Sequence, residues 1–165
     1  MKTIILPGFS PQNRDWANEV KDSLKSEAYI HEWKHWETGE NKDFDLQKES
    51  RKVIELIGDN EIKIIAKSIG TLIAAGILPE IHNKLEKLIL CGIPVNDLSE
   101  DELKAYDNLT ILDPNKIIVI QNKDDNHGTL AQVQELLRNL NIEIREKPRD
   151  DHHYPYYEDF KKILS

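Results

Sequence analysis

Two hydrophobic rhythms alternate along this chain. Short runs rich in β-branched residues occupy positions 3–6, 29–33, 62–66, 88–91, 117–121 and 142–146, each about the length of a strand. The runs at 62–66 and 117–121 are apolar almost without a break, the pattern of a strand covered on both faces. Between the runs, apolar residues recur at helical spacing. Trp16, Val20 and Leu24 form one such set, and Leu46, Val53, Leu56 and Ile57 a second. Leu130, Val133, Leu136, Leu137 and Leu140 form a third, and Phe160, Ile163 and Leu164 a last. Residues 69–78 are apolar nearly all round, which predicts a helix packed centrally.

Strands separated by helices predict a parallel sheet, because parallel neighbours need a crossover that a helix supplies. The pattern therefore predicts an α/β fold: three layers, doubly wound around a mainly parallel sheet of six strands. No internal repeat, low-complexity tract or Pro/Gly/Ser linker divides the chain, so residues 1–165 are expected to form one domain. Ligands of such folds sit beyond the carboxyl ends of the strands, and the residues after each strand are where chemistry is to be sought.

Composition narrows the function classes. Hydrophobic residues make up 39% and charged residues 32%, the balance of a globular chain with a highly charged surface. A net charge of −8 with no lysine stripe argues against a nucleic-acid partner. The single cysteine, Cys91, forms neither an internal disulfide nor a metal-binding pair, and at a strand end it reads as a small buried hydrophobe. The first apolar run is cut off by Pro7 and Gly8, and no later one is long enough to span a bilayer. A cytoplasmic location without a membrane partner is the expectation, and no feature marks a self-association surface.

Three strand ends carry candidate chemistry. Ala66-Lys67-Ser68-Ile69-Gly70 places a serine between a strand and a helix, with small residues two positions to either side. A serine there either caps the helix or is lifted above the sheet on a sharp turn. A lifted hydroxyl becomes a useful nucleophile only with a base to take its proton and a carboxylate to orient that base. Asp124-Asp125 follows the fifth run, and Asp150-Asp151-His152-His153 follows the last. Paired aspartates and histidines also suit a metal, but no third and fourth ligand stands at recognisable spacing. The alternating His31, Trp33 and His35 read as a half-exposed strand end leading into a loop. A glycine follows the first strand, yet the Gly-Lys-Ser/Thr ending of a phosphate loop is absent.

Together these segments resemble the small, lidless serine hydrolases of the α/β-hydrolase superfamily. Residues 66–70 are similar to its nucleophile elbow, usually Gly-x-Ser-x-Gly, with Ala66 in place of the first glycine. The chain order serine, acid, histidine is that of the superfamily. Residues 119–128 resemble its strand-Gly-x-x-Asp turn, with Asn122 where the glycine stands, asparagine being next best in a left-handed turn. That register selects Asp125 over Asp124. Residues 150–154 resemble an Asp-His-aromatic segment, which selects His152 over His153.

The resemblance implies a Ser68-Asp125-His152 triad, with the N–H groups of Ile69 and Phe9 holding the oxyanion. Phe9 lies in Pro7-Gly8-Phe9-Ser10, where Pro7 replaces a frequent histidine of the family. The implied reaction is hydrolysis of a small ester, thioester or amide through an acyl-serine intermediate, on a small-molecule acyl substrate and without metal or organic cofactor. The implied sheet order is 2-1-3-4-5-6, without the two antiparallel N-terminal strands of larger members. Where those members insert a lid, residues 92–115 offer one short helix near 98–106, which implies an open, shallow site of modest selectivity. Lys67 points away from Ser68, being its strand neighbour, and could line the entrance and favour anionic substrates. Two rivals stand beside this reading. One is an inactive hydrolase-fold protein acting as a binding module, given the departures at Pro7, Ala66 and Asn122. The other is an unrelated doubly wound nucleotide or flavin binder.

Overall fold

Six strands form one sheet in the computed structural model, which describes residues 1–24 and 26–165. They are β1 (Lys2–Leu6), β2 (Ala28–Ile30), β3 (Ile62–Lys67), β4 (Leu85–Cys91), β5 (Ile117–Asn122) and β6 (Glu143–Lys147). Their order is β2-β1-β3-β4-β5-β6, and every pairing is parallel. The helices are α1 (Asn13–Ser23), α2 (Lys34–Thr38), α3 (Leu46–Ile57), α4 (Ile69–Ile81), α5 (Glu100–Leu103), α6 (Leu130–Leu136) and α7 (Tyr157–Leu164).

Alternation along each strand sends side chains into two cores. Ile64 and Ala66 of β3, with Leu88 and Leu90 of β4 and Val119 of β5, face Val53 of α3, Leu72 of α4 and Val133 of α6. Ile65, Ile89, Cys91 and Ile120 face the other way, against Trp16 of α1 and Phe160 of α7. The three layers follow from this alternation. Helix α4 is apolar on nearly every side because it lies centrally, with Gly70 through Ala75 all buried.

Three segments differ from the expectation. The run at 29–33 is a strand only through Ile30. Beyond it His31, Trp33 and His35 are buried, which overturns the reading of a half-exposed strand end. A buried carboxylate organises this segment: Glu49 accepts from the His31 ring at 2.7 Å and from the Lys34 backbone N–H at 3.0 Å. The chain then turns into α2, which closes on Gly39 at φ 73°. The stripe ending at Leu140 is helical only to Leu136, the rest forming turns. Finally, residues 92–115, expected to offer one short helix, lie against α4. A Ser99–Glu102 capping box starts α5, and a 3₁₀ helix, Lys104–Ile111, follows. Its Tyr106 hydroxyl meets Thr71 Oγ1 at 2.7 Å, and Asn108 Nδ2 donates to the Ala75 carbonyl at 3.1 Å. No helix among the described residues is long and apolar enough to cross a membrane.

Candidate active site

Ser68 has φ 54° and ψ −123°, and is the one non-glycine residue with positive φ among those described. Such a conformation is held at about 1–3 kcal/mol above ordinary backbone and persists only where neighbours enforce it. Here the Ser68 N–H donates to the Cys91 carbonyl at the end of β4, at 3.0 Å. Its carbonyl accepts from Thr71 twice, from the backbone N–H at 2.8 Å and from Oγ1 at 2.6 Å. Although Ser68 stands at the N-cap of α4, its side chain makes no capping bond. Ser68 lines a cleft instead.

The glycine two positions on has a steric cause. A Cβ on Gly70 would lie 2.2 Å from the Leu6 carbonyl oxygen and 2.9 Å from that of Pro7. Helix α4 can start this close to the end of β1 only without a side chain there. At position 66 the requirement is looser: the Ala66 methyl is buried in the core beside Leu6 and Leu90.

Asp125 and His152, one from each candidate pair, meet. Asp125 is 0% exposed, and its Oδ2 accepts from His152 Nδ1 at 2.7 Å and from the Tyr154 hydroxyl at 2.6 Å. Its Oδ1 accepts from the His127 backbone N–H at 2.8 Å. Burial pushes the carboxyl upward, but the bonds from His152, Tyr154 and His127 outweigh it and hold Asp125 below the usual carboxylate range. Asp124 and His153 are exposed and take no part. With its Nδ1 engaged, His152 keeps Nε2 buried and without a partner among the described residues, and it lines the cleft that holds Ser68.

Asn122 does not adopt the left-handed turn that the sequence suggested. It closes β5 with ordinary backbone, and its side chain carries the structural role. Its Nδ2 donates to the carbonyls of Asp151 and His153, at 2.9 and 2.8 Å, so it grips the chain on both sides of His152. Sequence reasoning missed this grip, as it missed the Tyr154 hydroxyl and Thr71. His127 was missed as well. Its ring lies 4.2 Å from that of His152, and its Nδ1 meets Asp97 at 2.6 Å.

The loop after β1 forms another wall. Phe9 and Ile69 both line the cleft, and among the described residues neither backbone N–H is taken by another group of the chain. Asn13, which also lines the cleft, donates from Nδ2 to the Ser10 carbonyl at 3.1 Å, and Lys67 Nζ donates to Asn13 Oδ1 at 2.6 Å. Lys67 is buried near the Trp16 ring rather than at an entrance, and burial pushes its pKa down to about 8. The cleft encloses about 550 Å³. Phe9, Phe44, Ile69, Pro94 and Leu98 supply its apolar walls, and Asp97 and Glu102 its carboxylates.

The chain has the α/β-hydrolase fold. Alpha/beta hydrolase domain-containing protein 10 from mouse superposes with a TM-score of 0.72 at 10% identity, covering 99% of this chain and 87% of that one. A protein from Xanthomonas campestris assigned to the alpha/beta hydrolase superfamily gives 0.71 at 15% identity, covering 99% and 95%. A serine hydrolase without a lid, also from Xanthomonas campestris, gives 0.57 at 13% identity, covering 99% and 78%. No protein-family model matches the sequence, and no curated protein is found as a relative.

Proposed function

We propose that the protein is a serine hydrolase that cleaves small esters, thioesters or amides through an acyl-serine intermediate. The observation that carries this reading is His152 Nε2, without a partner among the described residues, in the Ser68 cleft and on a ring whose Nδ1 is held by a buried carboxylate. A neutral imidazole whose Nδ1–H donates a hydrogen bond to Asp125 presents a lone pair at Nε2, the form needed to take a proton from a serine hydroxyl.

In this mechanism Ser68 Oγ attacks the acyl carbon while His152 Nε2 takes the hydroxyl proton. The tetrahedral oxyanion is met by the free N–H groups of Phe9 and Ile69, the latter at the N-terminus of α4, where the helix dipole assists. His152 returns the proton to the leaving group, which departs and leaves acyl-Ser68. Water then attacks with His152 again as base, releasing the acid and restoring the serine. Asp125 holds the imidazole in one tautomer throughout and stabilises its protonated form.

The cleft also bears on substrate choice. Its walls are apolar and aromatic, its carboxylates are Asp97 and Glu102, and among the described residues no lysine or arginine lines it. Short uncharged acyl groups fit this lining, and the anionic preference suggested by Lys67 is dropped because that ammonium is buried elsewhere. The expected result is turnover of p-nitrophenyl acetate and butyrate, with kcat/KM about tenfold lower for the succinate monoester through like-charge repulsion. Ser68→Ala should reduce turnover to the buffer rate. Equal activity in Ser68→Ala would contradict the proposal.

A further inference from the structure

The oxyanion loop is held from behind by an unusual set of donors. Three ring N–H groups from the segment after β2 converge on two successive carbonyls. Trp33 Nε1 donates to the Gly8 carbonyl at 2.9 Å. His35 Nε2 and Trp36 Nε1 both bond the Phe9 carbonyl, at 2.6 and 2.8 Å. The rings are themselves locked. Trp33 is 0% exposed, with edge-on contacts to Phe44 at 5.7 Å and His31 at 4.7 Å, while His35 stacks on the Phe9 ring at 4.2 Å.

One of these bonds bears on chemistry because of peptide geometry. The Gly8 carbonyl and the Phe9 N–H belong to the same peptide unit, which is planar and trans, so the two groups point in opposite directions. Whatever holds the carbonyl therefore aims the N–H. A flipped peptide would bury the Gly8 carbonyl elsewhere, lose the Trp33 bond and turn the Phe9 N–H away from Ser68. Gly8 is buried, so the unpaired carbonyl would also lack water. We propose that Trp33 is a positioning residue for the oxyanion site: its indole N–H holds the Gly8 carbonyl and so aims the Phe9 N–H into the cleft.

The inference rests on the proposed role of Phe9 as an oxyanion donor and adds what makes that donor available before substrate arrives. His35 and Trp36 act one peptide further on. They share a single acceptor, so removing one leaves the Phe9 carbonyl bonded. The arrangement therefore predicts unequal effects from two similar buried indoles.

The test compares Trp33→Phe and Trp36→Phe with the native chain, using p-nitrophenyl acetate and an aryl trifluoromethyl ketone. The ketone forms a tetrahedral adduct with an active serine and so reads the oxyanion site directly. Removing a preorganised oxyanion donor typically lowers kcat by about 10²–10³-fold. Trp33→Phe is expected to lose kcat on that scale, with KM within about twofold and ketone affinity reduced in parallel, while Trp36→Phe stays within about fivefold of native. A merely structural Trp33 would lower the folded fraction and leave the KM-to-kcat balance and ketone affinity of the folded molecules unchanged. Should Trp33→Phe fail to fold, 3-benzothienylalanine at position 33 keeps the shape of the indole and removes only the donor. A folded variant of either kind with native kcat and ketone affinity overturns the inference. If instead the native chain neither hydrolyses the ester nor binds the ketone, the hydrolase reading itself fails.

Discussion

Asp125→Asn is expected to lower kcat by about 10⁴-fold while leaving the fold in place. Every bond to this carboxylate comes from a donor: His152 Nδ1, the Tyr154 hydroxyl and the His127 N–H. An asparagine offers one oxygen and one NH₂ to that ring of donors. If its oxygen stays with the His127 N–H, its NH₂ takes the place of Oδ2 and faces both Nδ1 and the Tyr154 hydroxyl, and the imidazole must carry its proton on Nε2. That tautomer is unable to accept the serine proton. Steady-state kinetics on p-nitrophenyl acetate measure the loss. The same variant should change the acid limb of stability. The Asp125 pKa is depressed in the folded chain, so its contribution is complete above the unfolded value of about 4 and is lost as pH falls through the lower folded value. Asp125→Asn has no such group to protonate. Its stability should therefore fall less steeply than that of the native chain below about pH 4, as urea melts at graded pH would reveal.

Gly70→Ala is expected to be the most disruptive single-methyl change in the chain. The added carbon would sit 2.2 Å from the Leu6 carbonyl oxygen and 2.7 Å from its carbon, and both are backbone atoms of a buried strand. Relief requires α4 to move away from β1, which shifts Ser68 and the loop carrying Phe9 together. Overpacking with flexible neighbours destabilises by about 1–3 kcal/mol, and a backbone clash should reach or exceed the top of that range. Gly76 provides the control on the same helix: a Cβ there meets nothing within 4 Å. Gly76→Ala should stabilise the chain by about 0.5–1 kcal/mol, because alanine suits a helix interior better than glycine. Urea unfolding of the two variants should therefore move in opposite directions. Equal midpoints would contradict the close approach of α4 to β1.

Much of the architecture is written in short-range pattern. The unbroken apolar runs at 62–66 and 117–121 belong to central strands covered on both faces, and the residues around Ser68 carry the steric demand of the turn in Gly70. What periodicity misses is the polar content of residues that read as apolar. Trp33 and Trp36 count as core in any hydropathy pattern, yet each donates a hydrogen bond to the loop after β1. Tyr154 likewise reads as the aromatic after a histidine, while its hydroxyl bonds a buried carboxylate. The tolerance of asparagine for left-handed conformation suggests a backbone role for Asn122, and the structure uses its amide instead. Lys67 shows the converse. A lysine suggests a solvated position, but the strand alternation that turns it away from Ser68 also carries it beneath α1. In each case the partner lies far along the chain, so local sequence has no means of naming it.

The central claim is that Ser68 is made nucleophilic by His152 and Asp125, and covalent labelling with a fluorophosphonate probe tests it without any assumption about substrate. The account predicts a single adduct on the native chain, mapped by mass spectrometry to Ser68 and absent from folded Ser68→Ala. Folded native protein that remains unlabelled, or labelling that persists undiminished in Ser68→Ala, would contradict it.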